Sequence, residues 1–168
     1  MLTLAIDTAT KVCSVALCRD GEITAEYNIN MGMTHSEGLL PQLEQLLKRT
    51  NTKKQDIDLI AVSMGPGSFT GLRIGVSAAK GLAWTLDVPC CGVSTLEAMA
   101  QNAAHMDALV ICAMDARRSQ VYNALFYVNR GTVERIRGDR AIALSDLAQE
   151  LKDLEQQVLT AKERLTAL

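Results

Sequence analysis

The stretch with the most chemical potential is Gly65-Pro66-Gly67-Ser68-Phe69-Thr70-Gly71-Leu72-Arg73-Ile74-Gly75, which follows the apolar run Ile57 to Met64. Glycines bracketing a proline let the backbone turn sharply and approach another group closely. Free amides at a helix start can also hold an anion. No Gly-Lys-Ser/Thr follows at Walker A spacing, and the dinucleotide fingerprint fails because the third glycine is Gly71 and not residue 70. The stretch therefore reads as a tight strand-to-helix turn, with anion binding the weaker alternative. His35 and His105 stand apart in the sequence, and a lone imidazole makes a poor metal site. Nothing near Cys90 and Cys91 would lower a thiol pKa. Arg73 and Lys80 suit carboxylates on a partner, although solvated charge is the default reading. No nucleophile, base and orienting group converge.

The composition sets bounds on these readings. A chain of 168 residues with 48% apolar content can bury one full-sized core or two small ones, and aromatics are only 4%. The net charge of -2, from 17 basic and 19 acidic residues, argues against bulk attraction to nucleic acid. Met1 to Asp7 lacks the basic region and cleavage site of a signal peptide, and no apolar stretch approaches a membrane span. The odd number of cysteines (5), without Cys-x-x-Cys spacing, points to reduced, structural thiols and a cytoplasmic location.

The elements that position these residues follow from pattern and punctuation. Strands are expected at Leu2 to Ile6, Val12 to Cys18 and Glu22 to Ile29, with a hairpin at Gly21. Thr34 and Glu37 have capping-box spacing, and Leu39, Leu40, Leu43, Leu46 and Leu47 mark a helical face. Pro41 inside that pattern implies either a kink or a later start. Ile57 to Met64 reads as a central strand covered on both faces, followed by a helix from Phe69 to about Leu86. That helix carries Gly71, Gly75 and Ala79 at four-residue intervals, and each glycine costs roughly 1 kcal/mol relative to alanine. Something must pack close to this stripe. Its own sheet and a partner's helix stand level as explanations.

Further on, Pro89 to Val93 reads as a strand, and Ser94 caps a helix to about Ala104. Strands follow at Leu109 to Met114, Val121 to Val128 and Thr132 to about Ile136. Ser145 is the expected cap of a last amphipathic helix, with Val158 to Ala161 as an alternative strand. Leu4 to Asp7 followed by Val12 to Leu17 is echoed by Ile111 to Asp115 followed by Val121 to Phe126. The echo suggests two lobes of related design, residues 1–106 and 107–168.

Four segments resemble the TsaB (YeaZ) family, which is needed for threonylcarbamoyladenosine formation on tRNA. They are Leu4 to Ala9; His35 to Pro41; Gly65 to Gly75; and Met114 to Arg118 before Val121-Tyr122. The third is highly specific, and the resemblance holds well to about residue 128. It implies the α/β fold of actin, the Hsp70 ATPase domain and sugar kinases, with two lobes that each carry a five-stranded mixed sheet. The relatives usually continue into a strand and a Gly-Asp-Gly turn where Lys162-Glu163-Arg164 stands here, so the second lobe is expected to be shortened or diverged.

The resemblance also implies roles. In this superfold the Asp after the first strand of each lobe commonly serves a nucleotide's phosphates and metal, which singles out Asp7 and Asp115; here they read as vestigial, kept as turn carboxylates. His35 sits where the catalytic paralogue TsaD carries a two-histidine metal motif. Leu39 takes the second position, so no metal and no catalytic residue are expected. The family pairs with TsaD through the two helices of the first lobe. That pairing nominates His35, Leu39, Leu43, Gly71, Arg73, Gly75, Ala78, Ala79 and Leu82 as interface. On this reading Gly75→Leu spares the fold and breaks the complex.

The implied function is a non-catalytic scaffold subunit for N6-threonylcarbamoyladenosine at adenosine 37 of tRNAs reading ANN codons. It binds TsaD, with TsaE joining, and forms a homodimer when alone. It meets tRNA only through the complex, requires no cofactor of its own, and sees ATP or ADP only there. The alternative is a stand-alone ATP-dependent phosphotransferase or ATPase using Asp7, Asp115 and the Gly65–Gly71 loop. A metallopeptidase is a distant third, because no Glu-x-x-His follows the histidine.

Overall fold

The computed structural model describes residues 1–30 and 34–166, with side chains to residue 157. The chain divides into two compact units, Met1–Ala103 and Ala104–Leu168.

The first unit is built on strands β1 (Leu2–Asp7), β2 (Cys13–Arg19), β3 (Glu22–Ile29), β4 (Leu59–Gly65) and β5 (Cys90–Ser94), in the order β3-β2-β1-β4-β5. β1, β2 and β3 form an antiparallel meander, while β4 lies parallel to β1 and β5 parallel to β4. Strand alternation puts Leu2, Leu4 and Ile6 on the same face as Val15, Leu17, Ile60 and Val62. Two helices bury that face: α1 (His35–Arg49) through Leu39, Leu43, Leu46 and Leu47, and α2 (Phe69–Leu86) through Ala79 and Ala83. A shorter helix, α3 (Thr95–Gln101), follows β5.

Local chemistry accounts for the boundaries. The Thr34–Glu37 capping box forms, and Lys48 and Arg49 occupy the last turn of α1. Pro41 neither ends nor delays α1. It is exposed, and so is Glu37, whose carbonyl the missing N–H would have met and which water can serve. Ser68 caps α2 by accepting from the Gly71 amide at 3.3 Å, and Asp87 closes it in the left-handed region. Ser94 caps α3 as its sequence position implies, but the helix ends at Gln101, short of Ala104.

In the second unit β6 (Asp107–Arg117), β7 (Gln120–Asn129) and β8 (Thr132–Ala143) form an antiparallel sheet in that order, followed by α4 (Leu144–Thr166). Among the described residues this sheet has 3 strands, not the five-stranded mixed sheet implied by the resemblance. β6 and β8 run longer than the apolar pattern marks, because backbone pairing continues beyond the last buried side chain. α4 starts at Leu144, so Ser145 lies inside its first turn, and Val158 to Ala161 is helical. Asn123, 1% exposed, donates to the Cys112 carbonyl at 3.0 Å and accepts from Arg140. Arg140 in turn binds Glu150 on α4, tying that helix to β7 and β8.

Candidate partner-docking face and the junction beneath it

The end of β1 is where the motifs of the first unit meet. Thr8 is fully buried, and its hydroxyl donates to the Gly71 carbonyl at 2.8 Å. The Ser68 amide donates to the Ala9 carbonyl at 2.7 Å. His35 Nε2 lies 2.8 Å from the Thr10 carbonyl; a carbonyl only accepts, so that nitrogen carries the proton. These bonds pin the starts of α1 and α2 to one turn. The glycines are needed here because backbone meets backbone. A Cβ would meet Ala9 O at 2.5 Å from Gly67, Thr8 O at 2.1 Å from Gly71, and Thr8 Oγ1 at 2.2 Å from Gly75.

This packing decides how the Gly65–Gly71 loop functions. The Ser68 amide serves Ala9, the Gly71 amide serves Ser68 Oγ, and the Leu72 amide serves the Ser68 carbonyl. Amides that could have cradled an anion are taken up in closing the loop on β1, which is the strand-to-helix-turn reading. Asp7 Oδ1 accepts from the Ala9 amide at 2.8 Å, and Asp115 Oδ1 from the Arg117 amide at 2.7 Å. Each carboxylate closes its own turn, as Asp commonly does. Among the described residues no three His, Cys, Asp or Glu side chains gather as metal ligands.

The nominated interface residues fall into different environments. Leu39, Leu43, Gly71, Gly75 and Ala79 are buried in the unit's own interior, where they cannot touch a partner without unfolding it. Their nomination is corrected on that ground: the small-residue stripe serves this chain's own junction and sheet. His35, Ala78 and Leu82 are half-buried, and Arg73 is exposed.

The outward surface of the two helices has other owners. Leu40 on α1 is 55% exposed, and Phe69 and Trp84 on α2 are 75% and 90% exposed. Phe69, Arg73, Ser77, Lys80 and Trp84 share one helical stripe, all exposed. The Arg73 guanidinium lies over the Phe69 ring, 5.3 Å from its centre. Sequence reasoning passed over these large side chains. A signal was present: both aromatics fall in register with Arg73 and Lys80, on the side a charged stripe marks as wet.

Comparison with known proteins bears on what such a face meets. The family model "TsaD: tRNA N6-adenosine threonylcarbamoyltransferase" matches residues 30–166. The tRNA threonylcarbamoyladenosine biosynthesis protein TsaB of Bacillus subtilis (strain 168) is 41% identical over 159 residues, covering 95% of this chain and 69% of that one. Its namesake from Escherichia coli (strain K12) is 44% identical over 124 residues, 73% of this chain. The chain thereby covers 53% of the Escherichia coli protein, about half its length. Among solved structures, YeaZ from Pseudomonas aeruginosa matches with a TM-score of 0.77 at 33% identity, covering 84% of this chain and 67% of that one. Component A of (R)-2-hydroxyglutaryl-CoA dehydratase from Acidaminococcus fermentans matches at TM-score 0.50 and 21% identity, a likeness of fold alone. With the strand order of the first unit, these likenesses place the chain in the actin-like, sugar-kinase fold class.

Proposed function

This chain belongs to the TsaB family, and from that premise we propose that it serves threonylcarbamoyladenosine formation on tRNA as a non-catalytic scaffold subunit. Its partner on this reading is TsaD, the transferase, with TsaE joining the pair and tRNA met only through the complex. The observation that carries the proposal is the pairing of a locked junction with an unpartnered face. The groups that could do phosphate chemistry, Asp7, Asp115 and the Gly65–Gly71 loop, are engaged in holding the chain's own turns. Phe69, Trp84 and Leu40, by contrast, stand in solvent on the helices so held.

Aromatic and arginine side chains are the usual anchors of protein interfaces, and Arg73 and Lys80 between the two aromatics would meet carboxylates on the partner. The same face accounts for a homodimer in the absence of TsaD, since both would compete for it. The test is co-purification with TsaD from the same source, alongside tRNA modification with and without this protein. The proposal requires a stable complex and modification that depends on it. Failure to associate, with ATP turnover by the protein alone, would transfer the assignment to an independent phosphotransferase or ATPase.

A further inference from the structure

A cavity of about 340 Å3 lies between the N-terminal half of α1 and the ends of β2 and β3. Its walls include Cys13, Tyr27, Ile29, Gly38, Pro41 and Gln42, and the lining is overwhelmingly apolar. The volume falls near the lower end of the roughly 300–1,000 Å3 typical of small-molecule sites.

Two features of the wall are not accounted for by the fold. Gln42 is 3% exposed, and its Nε2 donates to the Cys13 and Tyr27 carbonyls at 2.9 and 2.7 Å, which fixes the amide's orientation. Its Oε1 is then left buried without a donor. A buried acceptor in that state is costly and uncommon, and calls for an explanation such as a missing ligand or water. The second feature is Gly38. Unlike Gly71 and Gly75, whose Cβ atoms would collide with the β1 turn, Gly38 meets nothing within 4 Å. Inside a helix glycine is a poor choice relative to alanine, and here no protein atom requires it. What it leaves open is the cavity it lines.

We infer that this cavity is a binding site for a small, uncharged, largely apolar molecule that offers one N–H or O–H donor to Gln42 Oε1. An uncharged ligand follows from the lining. Glu37 spends its carboxylate on the Thr34 amide and hydroxyl. Burial pushes the Cys13 thiol up and keeps it neutral. An aromatic or alicyclic body suits the walls of Tyr27, Ile29 and Pro41. The site lies on α1, one of the helices of the proposed docking face, but the inference does not depend on that face being used.

The probe pair is indole and benzofuran, near-isosteres that differ in the N–H donor. In amide-resolved NMR of the full chain, indole should shift Cys13, Tyr27 and Gln42 saturably. Benzofuran should bind at least about tenfold more weakly, because it leaves the acceptor unmet. Gly38→Leu should fill the space and abolish indole binding while other resonances stay in place. Gln42→Met, which removes the acceptor, should bind both probes alike and guards against a Gly38 variant that fails to fold. Equal affinity of the native chain for both probes would overturn the inference. So would the absence of saturable shifts at these residues, or undiminished indole binding by a folded Gly38→Leu chain.

Discussion

Thr8 and Gly75 lie so close that a Cβ on Gly75 would stand 2.2 Å from the Thr8 hydroxyl oxygen. That hydroxyl is buried and already donates to the carbonyl of Gly71, one turn earlier on the same helix. α2 is thus drawn down on the end of β1 by a hydrogen bond that only a glycine-lined helix can approach. The expectation that Gly75→Leu spares the fold and only breaks a complex is therefore corrected. Added bulk at Gly75 enters the first unit's own junction before it reaches any partner.

Replacing these glycines by alanine should separate three environments. Gly75→Ala forces Thr8 to rotate out of its bond or α2 to lift, an overpacking cost of about 1–3 kcal/mol. Gly71→Ala should cost more, because its Cβ meets the Thr8 backbone carbonyl at 2.1 Å, and backbone cannot swing aside. Gly81→Ala meets nothing within 4 Å and should stabilise α2 by up to about 1 kcal/mol. Urea unfolding midpoints of the three variants give the ranking. A Gly71→Ala chain as stable as the parent would contradict the junction described above.

Thr8→Val keeps the shape of the side chain and removes the donor to Gly71. The expected loss is about 1–2 kcal/mol, the cost of a buried hydrogen bond whose acceptor is left in place. Its signature would be faster amide exchange in the first turns of α2, where the tie is lost. Loss of stability spread evenly over the first unit would instead point to a packing defect.

Much of the first unit is legible in its sequence because its signals are local. The Thr34–Glu37 box, the Ser68 cap and the apolar run of β4 each declare themselves within a few residues. The role of the glycine stripe is not local. Gly71 and Gly75 read the same whether the close neighbour is Thr8 or a foreign helix, since spacing records closeness and not identity. The docking candidates were obscured for a related reason. Phe69 and Trp84 look like core residues by type, and only the buried positions of Gly71, Gly75, Ala79 and Ala83 turn them outward. In the second unit, β8 escaped notice beyond Ile136 because Arg137, Asp139 and Arg140 interrupt its alternation. Its pairing to β7 persists through backbone bonds alone.

Acid should loosen both units at carboxylates that their partners hold in the charged form. Glu37 lies below the usual carboxylate range, chiefly through its bond from the Thr34 hydroxyl; Glu150 does so chiefly through Arg140. A depressed folded pKa contributes stability that is full above the unfolded value and is lost as pH falls through the folded one. The unfolding midpoint should therefore decline as pH drops through about 4 and below. Glu150→Gln should flatten part of that decline, and added salt should reduce it, because both groups are solvent-accessible. A midpoint unchanged from pH 6 to 3 would show that neither carboxylate is held by its partner in the folded chain.

Trp84 offers a direct reading of the docking face, since it is the single tryptophan of the chain and is 90% exposed. Its emission in the free protein should be that of a solvated indole and should be quenched readily by iodide. If TsaD seats on α1 and α2, binding moves the ring into an apolar contact. The emission then shifts to the blue, and iodide loses access in proportion to complex formed. Phe69→Asp, which places a charge at the other end of the same stripe, should weaken that titration at least about tenfold, as loss of an interface anchor does. It should leave the unfolding midpoint nearly unchanged, because the side chain is 75% exposed. A complex that forms with no change in Trp84 emission or quenching would exclude this end of α2 from the contact. The interface would then have to be sought nearer Leu40 and Phe69.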